Sequence, residues 1–161
     1  MTPGNFSFFL PQLVHHDVQF VLIGGGAAIA HGLARATYDV DIIYSRQEEN
    51  LAKLVAALEG IELYYRGAPP GLPFRWDRET LRSGLNFTFT STKGDIDLLG
   101  EAAGQGTWEG LRSDCETMLL YGCSVRVVTL ERLIQLKRAA GRPKDFETIA
   151  QLEALREERS K

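Results

Sequence analysis

The segment Val18–Ile23 constrains the fold most, because it is a short, mainly apolar run that leads directly into three glycines, Gly24–Gly26. A run of this length and composition predicts a buried strand, and the glycines predict a tight turn at its end. The small residues of Ala27–Ala34 predict a short helix after the turn. Backbone N–H groups at such a junction are unpaired and are typical of a site for anions. The alternative is a turn that only packing requires.

The composition is that of a globular protein, with 161 residues, 44% hydrophobic and 24% charged. This length predicts one domain over residues 1–161, with a core at about 18–128 and C-terminal helices at about 129–159. No apolar run is long enough to cross a bilayer, no basic leader precedes an apolar stretch, and two cysteines do not make a disulfide framework. We therefore expect a cytoplasmic protein without membrane contacts.

The charge pattern limits the possible partners. A net charge of −3 disfavours non-specific coating of nucleic acid by the whole surface. Basic residues are nevertheless concentrated over residues 126–144, where phosphates of an NTP or of RNA could bind. The alternative is two ordinary solvated helix faces.

Apolar periodicity and turn residues predict a mixed α/β (α+β) fold, with a mixed β-sheet flanked by helices and a short C-terminal helical pair. The predicted elements after the glycine turn are a strand at Asp39–Tyr44, a helix at Glu48–Glu59, a strand at Ile61–Arg66, a loop at Gly67–Pro73, a hairpin of Asn86–Ser91 with Asp95–Leu99, a hairpin within Glu116–Val128, and helices at Leu130–Ala140 and Pro143–Arg159. A first helix is expected to end near His15.

Asp39 and Asp41 lie two residues apart in a predicted strand, so their side chains leave the same face. Neighbouring carboxylates repel each other and stay ionised most easily when a cation neutralises them. Oxygen ligands of this kind suit Mg²⁺, which binds one or two carboxylates together with substrate phosphates. A solvated strand end is the alternative interpretation of this motif.

A third acid lies in the second strand of the predicted hairpin. Asp95 and Asp97 share one face there, and Asp97 is followed by apolar residues that indicate a buried element. Asp95 is interpreted as an acid of the hairpin turn. If this strand pairs beside the strand of Asp39, three carboxylates meet at one edge, as in two-metal phosphoryl or nucleotidyl transfer.

Lys137 lies on the apolar stripe of its predicted helix, seven residues after Leu130. An unpaired ammonium on a packed face is costly, so the side chain is expected to reach carboxylates or a triphosphate. The alternative is an amine that snorkels from the edge of the stripe into water.

A dinucleotide-binding oxidoreductase is a further alternative, since Gly24 and Gly26 follow a strand. That fingerprint requires Gly or Ala at position 29, where this chain has Ile29, and a tandem of βαβ units that is not evident. We therefore rank it below the phosphate and metal interpretation.

The glycines and acids resemble the hallmark of nucleotidyltransferase-fold proteins, which is a Gly-Gly or Gly-Ser, a short helix, an Asp-x-Asp and a later third acid. Thirteen residues separate Gly25 from Asp39, which fits this pattern. The chain is most similar to the AbiEii-type branch, known from abortive-infection toxins. The matching residues are Gly24, Gly25 and Ala27; Arg35, Thr37, Asp39 and Asp41; and Lys137, Arg142, Lys144 and Asp145. The branch often has a further Asp at the position of Thr148, and its proven toxins are usually longer.

The resemblance implies transfer of an NMP from an NTP to an acceptor hydroxyl on RNA such as tRNA, on protein, or on a small molecule. It implies Mg²⁺ or Mn²⁺ as the cofactor and, by its toxin members, an antitoxin-like partner. A non-catalytic interaction module of the same fold is the alternative. The implied catalytic residues are Asp39, Asp41, Asp97 and Lys137, of which the three acids bind metal, and the implied nucleotide-binding residues are Gly24, Gly25, Arg35, Thr37, Arg142, Lys144 and Asp145.

Overall fold

The structure is a computed structural model that describes residues 3–104 and 106–161. Its helices are α1 (Phe6–His15), α2 (Gly24–Ala30), α3 (Glu48–Ala57), α4 (Arg78–Ser83), α5 (Trp108–Leu111), α6 (Leu130–Ala140) and α7 (Phe146–Arg159), with a 3₁₀ turn at Pro143–Asp145. Its strands are β1 (Phe20–Leu22), β2 (Asp39–Tyr44), β3 (Tyr64–Tyr65), β4 (Asn86–Thr90), β5 (Asp95–Leu99), β6 (Glu101–Ala102), β7 (Gly106–Thr107), β8 (Cys115–Leu120) and β9 (Cys123–Val128). This confirms the predicted mixed α/β class.

The main sheet has seven strands in the order β3-β4-β5-β2-β1-β9-β8. The β2–β5 and β1–β9 pairs are parallel, and the other neighbours are antiparallel. A separate pair, β6 with β7, follows β5. Because β5 joins β2 rather than only its hairpin partner β4, the two strands that carry paired acids are direct neighbours.

Alternation along β4, β5 and β2 gives the sheet one apolar and one polar side here. The buried face holds Val40, Ile42, Phe87, Phe89, Ile96 and Leu98. The acids point the other way, as period-two geometry requires. In the register, Asp41 is opposite Asp97 and Thr88 is also opposite Asp97, so these three side chains form one row. Helix α6 packs against both α2 and α7.

Helix α6 begins and ends where the sequence predicts. The Thr129 hydroxyl accepts a hydrogen bond from the Arg132 amide at 3.2 Å, and Gly141 ends the helix in the left-handed conformation with φ of 64°. The following segment, predicted as one helix from Pro143, opens instead with the 3₁₀ turn before α7. None of the described helices combines the length and apolarity needed to cross a membrane.

Other boundaries differ from the predictions. Helix α2 is assigned from Gly24 to Ala30, so it ends before the predicted Ala34, and Gly24 at its start has the left-handed φ of +67° that a turn requires. Strand β3 is limited to two residues of the predicted Ile61–Arg66. The sequence analysis missed the short elements α4, α5, β6 and β7. Both helices have a side-chain cap; in α4 the Asp77 carboxylate accepts from the Thr80 amide at 2.8 Å.

Candidate active site

The acids of β2 and β5 meet on the polar side of the sheet. One carboxylate oxygen each from Asp39, Asp41 and Asp97 lies within 4.8 Å of the other two. The parallel register explains this, because it sets Asp39 opposite Asp95 and Asp41 opposite Asp97. The expected convergence of acids from two strands is therefore present in the structure.

The electrostatics of the cluster are those of crowded carboxylates. Burial, the charge of Asp97, a hydrogen bond with Asp97 and the charge of Asp39 raise the pKa of Asp41 to about 8, against a smaller opposite effect of Lys137. Burial and the charge of Asp97 also raise the pKa of Asp39, while Arg66 lowers it. Asp39 and Asp41 are therefore harder to ionise than an ordinary aspartate, because the cations of the protein do not offset burial and the neighbouring carboxylates.

The donor set fits a hard divalent cation. Asp41 Oδ1 is buried and has no hydrogen-bond partner among the described residues. Buried polar atoms are normally paired, so an orphaned carboxylate oxygen next to two further carboxylates is what a cation ligand would leave. Mg²⁺ and Mn²⁺ accept oxygen donors in this arrangement.

The glycine junction lies directly against these acids. Gly24 has φ of +67°, and a Cβ atom at this position would lie 2.3 Å from Asp41 Oδ2. A Cβ on Gly25 would lie 2.6 Å from the Thr37 hydroxyl oxygen. The absence of side chains therefore lets the start of α2 approach the carboxylates, which gives these glycines a reason beyond turn formation.

Lys137 points into the site rather than out to water. It is 8% exposed, and its Nζ lies 3.7 Å from Asp145 Oδ1. Burial lowers the pKa of Lys137, opposed by the charge of Asp145 and, less strongly, of Asp41. The alternative of a snorkelling side chain is therefore wrong.

Asp145 connects Lys137, a predicted catalytic residue, with Arg142, a predicted nucleotide-binding residue. It is 6% exposed and accepts a hydrogen bond from Arg142 Nε at 2.7 Å while it pairs with Lys137. Its position is that of a buried counter-ion for these two side chains. Lys144 is exposed, and its charge acts on Asp39. Arg35 donates a short hydrogen bond to the Thr148 hydroxyl, which ties the segment before β2 to α7.

A cavity of about 340 Å³ opens between the acids and α6. Its lining includes Gly24, the cations Lys137 and Arg142, and the acids Asp41 and Asp97. The rest of its wall is mainly apolar and includes Leu99, Ala102, Ala103, Leu133, Leu136 and Ala140. Acidic, cationic and apolar side chains therefore line one cavity.

The basic segment predicted over residues 126–144 does not form a continuous free patch. Arg132 pairs with Asp114, Arg138 with Glu153, and Arg142 with Asp145. Much of its charge is thus neutralised by acids from other elements.

Sequence reasoning missed Arg66, which lies on the cluster. Its Nη2 is 2.7 Å from Asp97 Oδ1, its Nε is 3.1 Å from Asp95 Oδ2, and its Nη1 is 3.9 Å from Asp39 Oδ2. A single arginine after a short strand carries no motif or spacing signal. Only the order of the strands brings it to the acids.

Comparison with known proteins gives a likeness of fold. No family profile and no curated protein sequence matches the chain. Seven chains of solved structures match. The lincosamide antibiotic adenylyltransferase LnuA, in its lincomycin-bound crystal structure, has a TM-score of 0.60 and 16% identity over 94% of this chain and 96% of that chain. A proposed nucleotidyltransferase from H. pylori has a TM-score of 0.44 and 14% identity over 83% of this chain and 54% of that chain. The likeness to LnuA shows that the chain has a nucleotidyltransferase-like fold.

Proposed function

We propose that this chain is a nucleotidyltransferase that moves an NMP from an NTP to an acceptor hydroxyl. The observation that carries the proposal is the meeting of Asp39, Asp41 and Asp97 beside Gly24 and Lys137. The likeness of fold to LnuA, over nearly the full length of both chains, supports it. The antiparallel pairing of β1 with β2 disfavours the dinucleotide-binding alternative, which requires parallel βαβ units.

Asp39, Asp41 and Asp97 would hold Mg²⁺ or Mn²⁺ through their carboxylate oxygens. Such an ion, when bound, neutralises phosphate charge and favours ionisation of a hydroxyl. The orphaned Oδ1 of Asp41 and the raised pKa of that carboxyl support this assignment, because both describe an acid that lacks a positive partner.

The remaining residues would bind and orient the nucleotide. Gly24 and Gly25 would present backbone N–H groups to the phosphates, and Lys137 and Arg142 would neutralise their charge. Asp145 would hold those two cations in place, as its contacts support. Arg35 and Thr37 would shape the segment before β2, and Lys144 would add positive charge near Asp39.

Asp97 would accept the proton of the acceptor hydroxyl on a carboxylate oxygen. The acceptor oxygen then forms a bond to the α-phosphorus while the bond from that phosphorus to the bridging oxygen breaks, which releases pyrophosphate. Catalysis of this type depends on positioning and charge neutralisation rather than on covalent chemistry by the protein.

Among the three acceptor classes, we favour a small molecule. The cavity of about 340 Å³ has the size and mixed lining of a site for a small ligand. LnuA, which the chain resembles in fold, is an antibiotic adenylyltransferase with lincomycin bound. Transfer to tRNA or protein, an AbiEii-type assignment and an antitoxin-like partner remain predictions from the sequence.

The test is to incubate the protein with each α-labelled NTP, MgCl₂ and a cell extract separated into small-molecule, RNA and protein fractions. We expect Mg²⁺-dependent label in one fraction, foremost the small molecules, and no label with Asp41→Asn or Asp97→Asn. Equal labelling by these variants would contradict the assignment of the acids, whereas absence of transfer together with no metal-dependent NTP binding would favour the non-catalytic module.

A further inference from the structure

The side chain and backbone of Arg66 are fixed by contacts with β4 and β5. Its Nη2 donates both to Asp97 Oδ1 at 2.7 Å and to the backbone oxygen of Phe89 at 2.8 Å. Its own backbone N–H donates to the Thr88 oxygen at 3.0 Å, which extends the pairing of β3 with β4. Its Nε faces Asp95 at 3.1 Å. Two of these anchors, Phe89 and Asp95, lie outside the proposed metal ligands, so a bound ion need not disturb them.

Arg66 and Asp41 both lie near the carboxylate of Asp97. The Arg66 guanidinium donates to Oδ1 at 2.7 Å, and a carboxylate oxygen of Asp97 lies within 4.8 Å of one of Asp41. If the Asp97 carboxylate rotated freely about its Cβ–Cγ bond, it would keep neither the hydrogen bond from Arg66 nor its position relative to Asp41. Arg66 therefore sets the orientation in which Asp97 faces the space between the acids.

We propose that Arg66 is a positioning residue that orients the Asp97 carboxylate for a divalent cation shared with Asp39 and Asp41. This assignment rests on the proposed function, since it concerns the same acids. It goes beyond it by naming a residue that no motif contains and that acts through Asp97 rather than on substrate. Residues that orient metal ligands typically change metal affinity or activity by 10–100-fold when they are replaced.

A competing interpretation is that Arg66 only supplies positive charge. The two interpretations predict opposite effects on metal binding. Removal of a nearby positive charge alone would strengthen binding of a cation, whereas release of Asp97 would weaken it. Lysine separates them further, because it keeps the charge but has one nitrogen and cannot contact Asp97, Asp95 and the Phe89 oxygen in the same planar arrangement.

The experiment measures binding of Mn²⁺ alone by calorimetry to the wild type, Arg66→Lys and Arg66→Gln. We expect both variants to bind Mn²⁺ about 10-fold or more weakly. In the transfer reaction we expect kcat to fall by a similar factor with little change in KM for the NTP. Arg82→Gln is the matched control, because Arg82 also pairs with two acids, Glu48 and Glu79, neither of which is a proposed metal ligand. It should bind Mn²⁺ like the wild type.

Asp95→Asn is a second variant that loosens Arg66 without changing a proposed ligand, and we expect a smaller loss of Mn²⁺ affinity in the same direction. Thermal unfolding in EDTA checks that each variant is folded. Tighter Mn²⁺ binding by Arg66→Gln, or wild-type binding by Arg66→Lys, would overturn the role of Arg66 and leave the proposed function intact. A wild type that binds no Mn²⁺ would overturn both, and a wild type that binds Mn²⁺ without NMP transfer would overturn the proposed function only.

Discussion

At the scale of single residues, the candidate site depends on groups that tolerate little change. Gly24 is in the left-handed region and lies against Asp41, so any side chain at this position meets both a backbone and a steric penalty. Asp41 in turn is a buried acid with one unpaired oxygen. Because the two residues are in contact, the local structure of the turn and the chemistry of the acid are coupled.

Replacement of Gly24 by Ala separates these two penalties when it is compared with Gly60→Ala. Gly60 also has positive φ, +83°, but a Cβ there would meet no atom within 4 Å. We expect each variant to lose about 1 kcal/mol of unfolding free energy from the backbone alone. Only Gly24→Ala should also displace the Asp41 carboxylate and reduce Mn²⁺ affinity by about 10-fold or more. Unchanged Mn²⁺ affinity in Gly24→Ala would contradict the close contact.

Asp41→Asn tests the charge repulsion in the cluster. The pKa of Asp41 is raised from 3.8 to about 8 in the folded protein, mainly by burial and Asp97. The native state therefore binds this proton more tightly than the unfolded chain, and the resulting stability is complete below pH 3.8 and is lost as the pH rises through about 8. Without divalent ions, we expect Asp41→Asn to be more stable than the wild type above that pH, by about 2 kcal/mol or about 4–8 °C.

Thermal unfolding of both proteins in EDTA across this pH range is the measurement. The difference in Tm between the wild type and Asp41→Asn should decrease towards acidic pH, where the wild-type carboxyl is protonated. Glu147→Gln, which removes an exposed acid of α7, should show no such pH-dependent difference. A gap that stays constant with pH would mean that Asp41 is not the titrating group.

At the scale of elements, a side chain of α3 fixes the pairing of β1 with β2, the strand that carries Asp39 and Asp41, at the end of β2 away from these acids. Asn50 of α3 is buried and accepts a hydrogen bond from the Gln19 amide at 2.7 Å. It donates to the Gln19 and Ser45 backbone oxygens at 3.1 and 2.8 Å. Gln19 precedes β1 and Ser45 follows β2. One side chain therefore links the start of β1 to the end of β2, the two antiparallel strands that flank α2 and its glycines in the sequence.

Asn50→Ala should therefore destabilise the protein through unpaired backbone groups. We expect a loss of about 2–4 kcal/mol in unfolding free energy, since three hydrogen bonds to partly buried partners disappear. Urea unfolding provides the measurement, and Glu49→Ala, at the exposed neighbouring position of the same helix, is the control. A loss below about 1 kcal/mol would show that water replaces these contacts without cost.

At the scale of the whole molecule, binding of a divalent ion should be linked to folding. Ions that bind only the native state stabilise it by mass action, by about 2.7 kcal/mol at a concentration 100-fold above Kd. Protons compete for the same oxygens, and the pKa values of Asp39 and Asp41 are both raised. We therefore expect MgCl₂ to raise Tm more at alkaline than at mildly acidic pH.

Differential scanning fluorimetry with MgCl₂ or EDTA over a series of pH values tests this linkage. Asp97→Asn should show a much smaller Mg²⁺ effect at every pH, because one of the three proposed ligands has lost its charge. An Mg²⁺ effect that is equal in the wild type and this variant would place ion binding elsewhere on the molecule.

Local patterns in the sequence were sufficient for much of this architecture. Strand Asp39–Tyr44, the hairpin around Lys93 and Gly94, and the helix Leu130–Ala140 with its Gly141 end occur as predicted. Each of them follows from side-chain periodicity or from a turn or cap residue, which act over a few positions. The shared face of Asp39 and Asp41 follows from the same period of two.

Contacts between segments that are distant in the sequence were determined by the tertiary structure. The parallel pairing of β2 with β5, the partnership of Lys137 with Asp145, and the contact of Arg66 with three acids all join residues far apart in the chain. Sequence periodicity tells which face a side chain takes but not which strand lies beside it, because strand order depends on how all the apolar faces pack together. The sequence by itself thus determined which acids can face one side, and only the packed sheet determined that they meet and that an arginine holds one of them.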